Sequence, residues 1–177
     1  IHYSCLGKRY YAVAFENQSN GFEIRNRYFK GCIAPKDISI RRVRDGPSTE
    51  CAVFEGFIDC LSALTLGIIT GVDAIILNSV SNVNKAIPIL KDYTVINCYL
   101  DNDNAGTTAL AELTAIYGST VIDRSTLYSW FNDLNEYLTH QSFTAKLNDY
   151  ENRQSTTNIC IPINPVDRCN RQSSINS

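Results

Sequence analysis

Between residues 51 and 140, short apolar segments alternate with amphipathic ones, and this alternation is the strongest constraint on the fold. Strands are predicted in "CAVFEG", "DAIILNS", "TVINCYL" and "STVID", which are short runs rich in apolar residues. Helices are predicted after them in "FIDCLSALTLG", "NVNKAIPILKDY" (with Pro88 inside), "NAGTTALAELTAIYG" and "STLYSWFNDLNEYLTH". Apolar strands separated by helices predict an α/β fold in three layers, with a four-stranded, mainly parallel sheet covered on both faces.

The two flanking regions differ from this central region. Residues 1–50 predict a small β-rich segment, because "KRYYAVAFEN" and "FEIRNRYFKG" have strand composition and "QSNG" between them is a hairpin signal. Residues 151–177 are polar and without a sustained period, which predicts a disordered tail. We therefore expect three parts: a basic β-rich segment at 1–50, a catalytic domain at 51–150 and the tail at 151–177.

The net charge of −2 is unevenly distributed along the chain. Residues 1–50 hold nine Lys and Arg against five Asp and Glu, whereas residues 51–150 hold four against eleven. A basic segment before an acidic one suits a cation site beside a polyanion, although exposed faces can also differ in charge by chance.

Composition excludes several other classes. No apolar run approaches the roughly 20 residues of a membrane helix and no signal peptide is present, so we expect a cytoplasmic protein without a membrane partner. The seven Cys include no C-x-x-C pair and only two His accompany them, which argues against zinc. Cys51, Cys60 and Cys98 lie in apolar segments and are expected to be reduced core thiols. The chain contains no Met, and we expect it to be a piece of a longer or processed protein.

Acidic residues follow three of the four predicted strands. They are Glu55 with Asp59, Asp101 with Asp103, and Asp133 with Glu136. The carboxyl ends of parallel strands meet at one edge of a sheet, where such folds bind ligands. Carboxylate oxygens are the ligands that Mg²⁺ prefers, so we expect a hard-cation site at this edge. Gly56 and Gly106 would leave room there for a phosphate or another backbone.

Each of these acids also has a simpler interpretation. Glu55 can favour the helix dipole, either Asp101 or Asp103 can cap a helix, and the remaining acids can lie on solvated helix faces. The segment "DNDNAGTTALAE" also fits part of a calcium-loop template, but its fifth position is Ala105 and a strand precedes it. The prediction of a site therefore depends on the convergence of the whole set.

The motifs resemble those of a known family. "VFEGFIDCLS", "YLDNDNAGTTAL" and "DLNEYL" resemble the three signature segments of the Toprim domain, in the version of bacterial-type primases. The front segment "YYAVAFENQSNGFEIRNRYFKG" resembles the one that precedes Toprim in primase-like proteins of mobile elements. Primases, topoisomerases and some nucleases share that domain. Two features depart from the primase pattern: Asn132 stands where primases often have Lys, and neither an upstream zinc ribbon nor a helicase motif is found, so an incomplete enzyme is expected.

The resemblance implies Mg²⁺-dependent (or Mn²⁺-dependent) nucleotidyl transfer, in which nucleoside triphosphates are joined on a single-stranded DNA template. It implies catalytic roles for Glu55, Asp59, Asp101 and Asp103, and metal ligation by Glu55, Asp101, Asp103 and Asp133. A zinc-ribbon domain and a replicative helicase are the implied protein partners. The alternatives are a Toprim nuclease and a non-catalytic DNA-binding module; a topoisomerase would need a Tyr in a separate domain.

Basic residues of the first segment are the candidates for contacts with DNA phosphates. They are Arg25, Arg27, Lys30, Arg41, Arg42 and Arg44. Tyr28 and Phe29 can stack on bases, or they can belong to the core of the hairpin. If this segment is one continuous strand, Arg25 and Arg27 lie on one face and Tyr28 lies on the other.

Overall fold

The structure, a computed structural model, describes residues 1–43, 46 and 48–157. The chain divides into two compact units, Ile1–His140 and Gln141–Ser177. The described part of the second unit is helical and ends at Thr157. Residues 151–157, which we expected in the polar tail, are therefore helical, and the rest of the predicted tail lies outside the described residues.

The first unit begins with two small antiparallel sheets. Their strands are β1 (His2–Cys5) and β2 (Lys8–Tyr11) in a hairpin, then β3 (Val13–Glu16), β4 (Phe22–Arg25) and β5 (Lys30–Ile33) in a three-stranded sheet. The predicted "QSNG" connection joins β3 to β4, where the Asn17 side chain accepts hydrogen bonds from the backbone N–H groups of Ser19 and Gly21. The sequence therefore predicts this hairpin correctly.

Both long strands predicted in this segment are interrupted. The first changes partners at Ala12, because β2 pairs with β1 whereas β3 pairs with β4. The second contains a turn in which the Asn26 N–H donates to the Phe29 carbonyl at 2.9 Å. The single-strand geometry expected for Arg25, Arg27 and Tyr28 is therefore wrong.

The central sheet has five strands rather than the four predicted. They are β6 (Ser39–Arg41), β7 (Glu50–Phe54), β8 (Asp73–Ile76), β9 (Val95–Tyr99) and β10 (Val121–Asp123). In space their order is β10-β9-β7-β8-β6, and all neighbours are parallel except β6 and β8. The added strand β6 has three residues, too few for an alternating pattern to identify it in the sequence.

Helices cover both faces of this sheet. They are α1 (Phe57–Thr65), α2 (Val83–Leu90), α3 (Asn104–Tyr117) and α4 (Leu134–Thr157), with short 3-10 helices at Val80–Asn82, Gly118–Thr120 and Ser125–Tyr128. Helices α2 and α3 pack on the face that carries Cys51 and Val53. Helix α1 and the first residue of α4 pack on the face that carries Ala52 and Phe54. The predicted three-layer α/β fold is confirmed.

Two further expectations concern the core and membranes. Cys51, Cys60 and Cys98 are buried free thiols, as predicted. Across residues 1–43, 46 and 48–157, no helix combines the length and apolar character needed to span a bilayer.

Strand β7 lies in the middle of the sheet, between β8 and β9. The helix that follows β7 packs on one face, and the helix that follows β9 packs on the other. The carboxyl ends of these two neighbouring strands therefore border a crevice, which is where open α/β sheets bind their ligands.

Candidate active site

Four of the predicted acids line one small pocket at this crevice, which we call the carboxylate pocket. They are Glu55, Asp59, Asp101 and Asp133, and they surround a volume of about 80 Å³ together with Arg25 and Lys30. Glu55 directly follows β7, and Asp101 comes two residues after β9, whose last residue pairs with the last residue of β7. The topology thus brings together side chains that are far apart in sequence.

Glu55 has a buried carboxylate oxygen, Oε2, that has no hydrogen-bond partner among the described residues. Burial, followed by the negative charges of Asp101 and Asp103, raises the pKa of Glu55 to about 7 from an ordinary 4.5, against the opposing charge of Lys30. A cation beside this side chain would relieve both the desolvation and the repulsion.

Asp101 faces a similar environment. Burial, then the charges of Asp133 and Asp103, raises its pKa to about 6 from an ordinary 3.8, and Lys30 again opposes the shift. Glu55 and Asp101 therefore both hold a proton more tightly than free carboxyl groups do, and each lies close enough to Lys30 to interact with its charge.

Asp59 lies deeper than the other acids and is 8% exposed. It occupies the first turn of α1, and its Oδ1 accepts a hydrogen bond from the Asn135 N–H at 3.2 Å. Burial, then the charges of Asp133 and Asp101, raises the pKa of Asp59 to about 7. This side chain links α1 to the start of α4 at the back of the pocket.

Asp103 caps helix α3. Its Oδ1 accepts hydrogen bonds from the N–H groups of Ala105 and Gly106, both at 2.8 Å. The expectation that one of the paired aspartates is a cap is therefore confirmed, and Asp103 still contributes charge to the site through its effect on Glu55 and Asp101. A side chain at Gly106 would place its Cβ 2.1 Å from the Asp101 carbonyl oxygen, so the backbone does approach closely here, as predicted.

The last acidic motif serves partly as a helix start. The Glu136 N–H donates to Asp133 Oδ1 at 2.6 Å, and Glu136 Oε2 accepts from the Asn132 N–H at 2.8 Å. This reciprocal arrangement resembles a capping box at the start of α4. Asp133 also lines the carboxylate pocket, whereas Glu136 does not.

Sequence reasoning missed the residues that hold these loops together. The Asn102 side chain donates to the carbonyls of Tyr128 and Phe131, and its N–H donates to the Asn132 carbonyl at 2.7 Å. The buried Tyr128 hydroxyl donates to the Leu100 carbonyl at 2.8 Å. An Asn between two Asp is a visible signal, but its partners are about thirty residues away and have no recognisable pattern.

Two of the six predicted nucleic-acid-binding residues lie at the pocket. Arg25 and Lys30 are directly opposite each other on β4 and β5, and both line the pocket. Arg27 lies on the turn between these strands, with its guanidinium 5.6 Å from the centre of the Tyr28 ring. A role in binding nucleic acid remains a prediction for all three.

The other three predicted basic residues have different surroundings. Arg42 forms an ion pair at 3.0 Å with the buried Asp73 and hydrogen-bonds the Tyr93 hydroxyl. Arg41 ends strand β6 and lines a separate hollow beside Phe15. Arg44 lies outside the described residues. The structure therefore brings neither Arg41 nor Arg42 into the carboxylate pocket.

The donor set suits a hard cation that keeps part of its water shell. Across the described ranges, no group of three or more His, Cys, Asp or Glu is placed so that it could hold a metal ion, so protein ligands alone form no metal cage. Mg²⁺ usually takes one or two carboxylates and completes its shell with water and substrate phosphates, so it does not require such a cage. Glu55 and Asp101, with Asp103 and Asp133 beside them, fit that requirement.

A larger cavity, of about 640 Å³, lies elsewhere and shares no lining residue with the carboxylate pocket. Along its wall, Glu50 accepts a hydrogen bond from the Asn97 side chain, which in turn accepts one from Arg124. Because the cavity lacks the clustered acids, we place the candidate chemistry in the smaller pocket.

Two family models match parts of the chain. The Toprim-like family model matches residues 52–138, and a domain of unknown function (DUF8464) matches residues 1–34. Among curated proteins, none matches the chain.

Two solved structures resemble the fold. The crystal structure of the primase fragment of the bacteriophage T7 primase-helicase protein is 17% identical, with a TM-score of 0.55 over 76% of this chain. The match spans 60% of that fragment. Primase domains in a complex with the T7 lagging-strand DNA polymerase, an RNA/DNA hybrid and dTTP are 18% identical, with a TM-score of 0.47 over 67% of this chain and 66% of that one.

The family match begins within β7 and ends near the start of α4, so it includes every acid of the pocket. The T7 fragment has the same type of mixed α/β fold. Residues 52–138 of this chain therefore form a Toprim domain.

Proposed function

We propose that this chain performs primase-like nucleotidyl transfer that depends on Mg²⁺ or Mn²⁺, with nucleoside triphosphates as substrates and single-stranded DNA as the template. One observation carries the proposal: Glu55, Asp59, Asp101 and Asp133 converge on a single pocket that Arg25 and Lys30 also line. Such a pocket combines carboxylates for a cation with cations for phosphates. The Toprim domain and its T7-like fold support the same reading.

In this proposal Asp101 and Asp103 would hold the metal, with Asp133 beside them, and the metal would supply positive charge for the nucleotide phosphates and the leaving pyrophosphate. Glu55 would either ligate the metal or accept the proton of the attacking 3′-hydroxyl. Without a metal, burial and the neighbouring acids raise the pKa of Glu55 to about 7. A bound cation would lower this pKa and favour the carboxylate, which is the form that ligates a metal or accepts a proton.

The remaining groups of the pocket bind the substrate or hold the acids in position. Lys30 and Arg25 are placed to contact substrate phosphates at the rim of the pocket. Asp59 positions the start of α4 through its hydrogen bond with the Asn135 N–H, and thereby sets the position of Asp133. Arg27, Arg41, Arg42 and Arg44 were also predicted to contact DNA, and the ion pair of Arg42 with Asp73 favours a structural role for that residue.

The wider context of the proposal comes from the family resemblance. A zinc-ribbon domain and a replicative helicase are the proposed partners, and the proposed location is the cytoplasm. A parent protein of a mobile element fits the same resemblance. Because the match spans 60% of the T7 fragment, the complete activity can require a further domain, and the test below allows for one.

The proposal is tested by primer synthesis on single-stranded DNA with labelled nucleoside triphosphates, in Mg²⁺ or Mn²⁺, with and without an added zinc-ribbon domain. We expect metal-dependent products that Glu55→Gln and Asp101→Asn abolish, whereas Asp92→Asn, a matched change at an exposed acid outside the pocket, leaves them unchanged. Degradation of the DNA in place of synthesis would assign the chain to the Toprim nucleases. DNA binding without either reaction would identify a non-catalytic module.

A further inference from the structure

The N-terminal β segment exposes an unusual number of aromatic rings. Tyr10, Tyr11, Tyr28 and Phe29 are 38%, 75%, 85% and 48% exposed, respectively, and we call this set the aromatic platform. A large contiguous patch of exposed apolar surface usually marks an interaction site. Tyr28 is too exposed to belong to the core of the hairpin, so that interpretation is wrong.

Asn26 holds the platform together. Its side-chain NH₂ donates to the Tyr3 hydroxyl at 3.2 Å and to the Tyr11 carbonyl at 3.1 Å. Its side-chain oxygen accepts from the Tyr28 N–H at 2.8 Å, and its own N–H donates to the Phe29 carbonyl. These bonds fix the turn that carries Tyr28 against the β1–β2 hairpin that carries Tyr11, so the backbone positions of these two residues are set before any ligand arrives.

The surroundings of the platform are basic. All Lys and Arg of residues 1–34 lie on β2 or on the β4–β5 hairpin, and all are exposed: Lys8, Arg9, Arg25, Arg27 and Lys30. None of them forms an ion pair within the described part of the chain. The two acids of this region are Glu16 and Glu23, and Glu23 is buried. Arg27 lies beside the Tyr28 ring, 5.6 Å from its centre, and none of these cations is neutralised by an ion pair with a carboxylate among the described residues. Rings among such cations match the chemistry of a strand that exposes both bases and phosphates.

The platform is continuous with the carboxylate pocket. Arg25 and Lys30 line that pocket, and the residues between them form the turn that carries Arg27, Tyr28 and Phe29. A chain of phosphates bound at the pocket would therefore continue over this turn toward Tyr11.

We propose that the aromatic platform binds single-stranded nucleic acid, with bases stacked on Tyr11 and Tyr28 and phosphates held by the neighbouring Lys and Arg. The inference rests on the proposed function in one respect: the bound strand is taken to be the template. Duplex DNA keeps its bases stacked inside the helix, so it cannot use the rings. Stacking accepts every base, so the site does not select a sequence.

The test measures how tightly the full chain binds a fluorescently labelled oligo-dT. Binding is measured by fluorescence anisotropy, in EDTA and without nucleotides. We expect Tyr11→Ala/Tyr28→Ala to weaken binding at least about tenfold, and the matched Tyr11→Phe/Tyr28→Phe variant to bind within about twofold of wild type, because Phe preserves the ring. Lys8→Gln/Arg9→Gln should flatten the dependence of affinity on salt. Duplex DNA of the same length should bind equally to wild type and to the Ala variant.

Undiminished oligo-dT binding by the Ala variant would overturn the platform, as would an equal loss in the Phe variant. Circular dichroism checks the fold, and Tyr28→Ala alone serves if the double variant unfolds. Asp101→Asn/Asp103→Asn separates this inference from the proposed function, because it removes the catalytic acids and leaves the platform intact. If primer synthesis fails while the Ala variant still loses oligo-dT binding, the proposed reaction is wrong and the platform stands.

Discussion

Replacing Asp59 with Asn should make the metal-free protein more stable at alkaline pH. Asp59 is 8% exposed and has a pKa of about 7, against an ordinary value of 3.8. The folded state therefore binds this proton more tightly than the unfolded state does. As pH rises from about 4 through about 7, the carboxylate must form inside the fold, and the protein loses stability over that window.

The magnitude follows from the two pKa values. At about 1.4 kcal/mol per pKa unit, the difference corresponds to roughly 4 kcal/mol at pH values above both. Rearrangement around the charge, and its coupling to Asp101 and Asp133, reduce the cost, so we expect Asp59→Asn to gain about 1 to 3 kcal/mol at pH 8.5. An Asn side-chain oxygen can still accept the hydrogen bond from the Asn135 N–H, so the fold loses no contact there.

The assay is urea unfolding in EDTA at several pH values between about 4 and 8.5. Wild type should lose stability across this range relative to Asp59→Asn, and the two proteins should converge at the acidic end. Asp92→Asn, a change at an exposed acid, should follow wild type throughout. Parallel stability curves for wild type and Asp59→Asn, or a variant that is less stable at pH 8.5, would refute the reasoning.

Three further predictions concern the site and its support. Millimolar Mg²⁺ or Mn²⁺ should raise the Tm of wild type but not of Asp101→Asn/Asp103→Asn in a thermal-shift titration, because an ion that binds only the folded state stabilises it; an equal rise in both proteins would argue against a cation site at these acids. Gly106→Ala should lower the Tm strongly, because its Cβ would lie 2.1 Å from the Asp101 carbonyl oxygen, whereas Gly46→Ala, which meets no atom within 4 Å, should be neutral; equal Tm values would contradict the close approach. Arg42→Gln should lower the free energy of unfolding in urea by about 1 to 2 kcal/mol and leave oligo-dT affinity unchanged, because Arg42 pairs with the buried Asp73. Arg25→Gln should leave the free energy of unfolding unchanged and lower the affinity for oligo-dT.

The sequence by itself determined the type of fold and the location of the chemistry. Apolar runs separated by helical segments are sufficient to predict β7 to β10, and parallel strands place their carboxyl ends at one edge. That rule alone put Glu55 and Asp101 beside each other. The N-cap role of one aspartate could also be predicted, because capping is a local interaction within a few residues of the chain.

The tertiary structure decided which basic residues reach the acids. The sequence does not distinguish among the six candidate basic residues within residues 1–50, since each is a Lys or Arg in a polar segment. The turn at Asn26 and the pairing of β4 with β5 bring Arg25 and Lys30 to the pocket. Arg42 instead forms its ion pair with Asp73, outside the pocket. Arg42 and Asp73 are 31 positions apart, and Arg25 and Lys30 are still farther in sequence from Asp101, so no local pattern predicts these arrangements.

Dependence on distant parts of the chain also explains why the sequence did not predict the fifth strand, the loop contacts of Asn102 or the exposed rings of Tyr11 and Tyr28. A three-residue edge strand forms because β8 offers it unpaired backbone groups, which is a property of the assembled sheet. Local sequence specifies periodicity, caps and turns, because these depend on neighbours within one or two helical turns. Partners across the fold, and therefore the burial and charge that raise the pKa values of Glu55 and Asp59, exist only once the chain has folded.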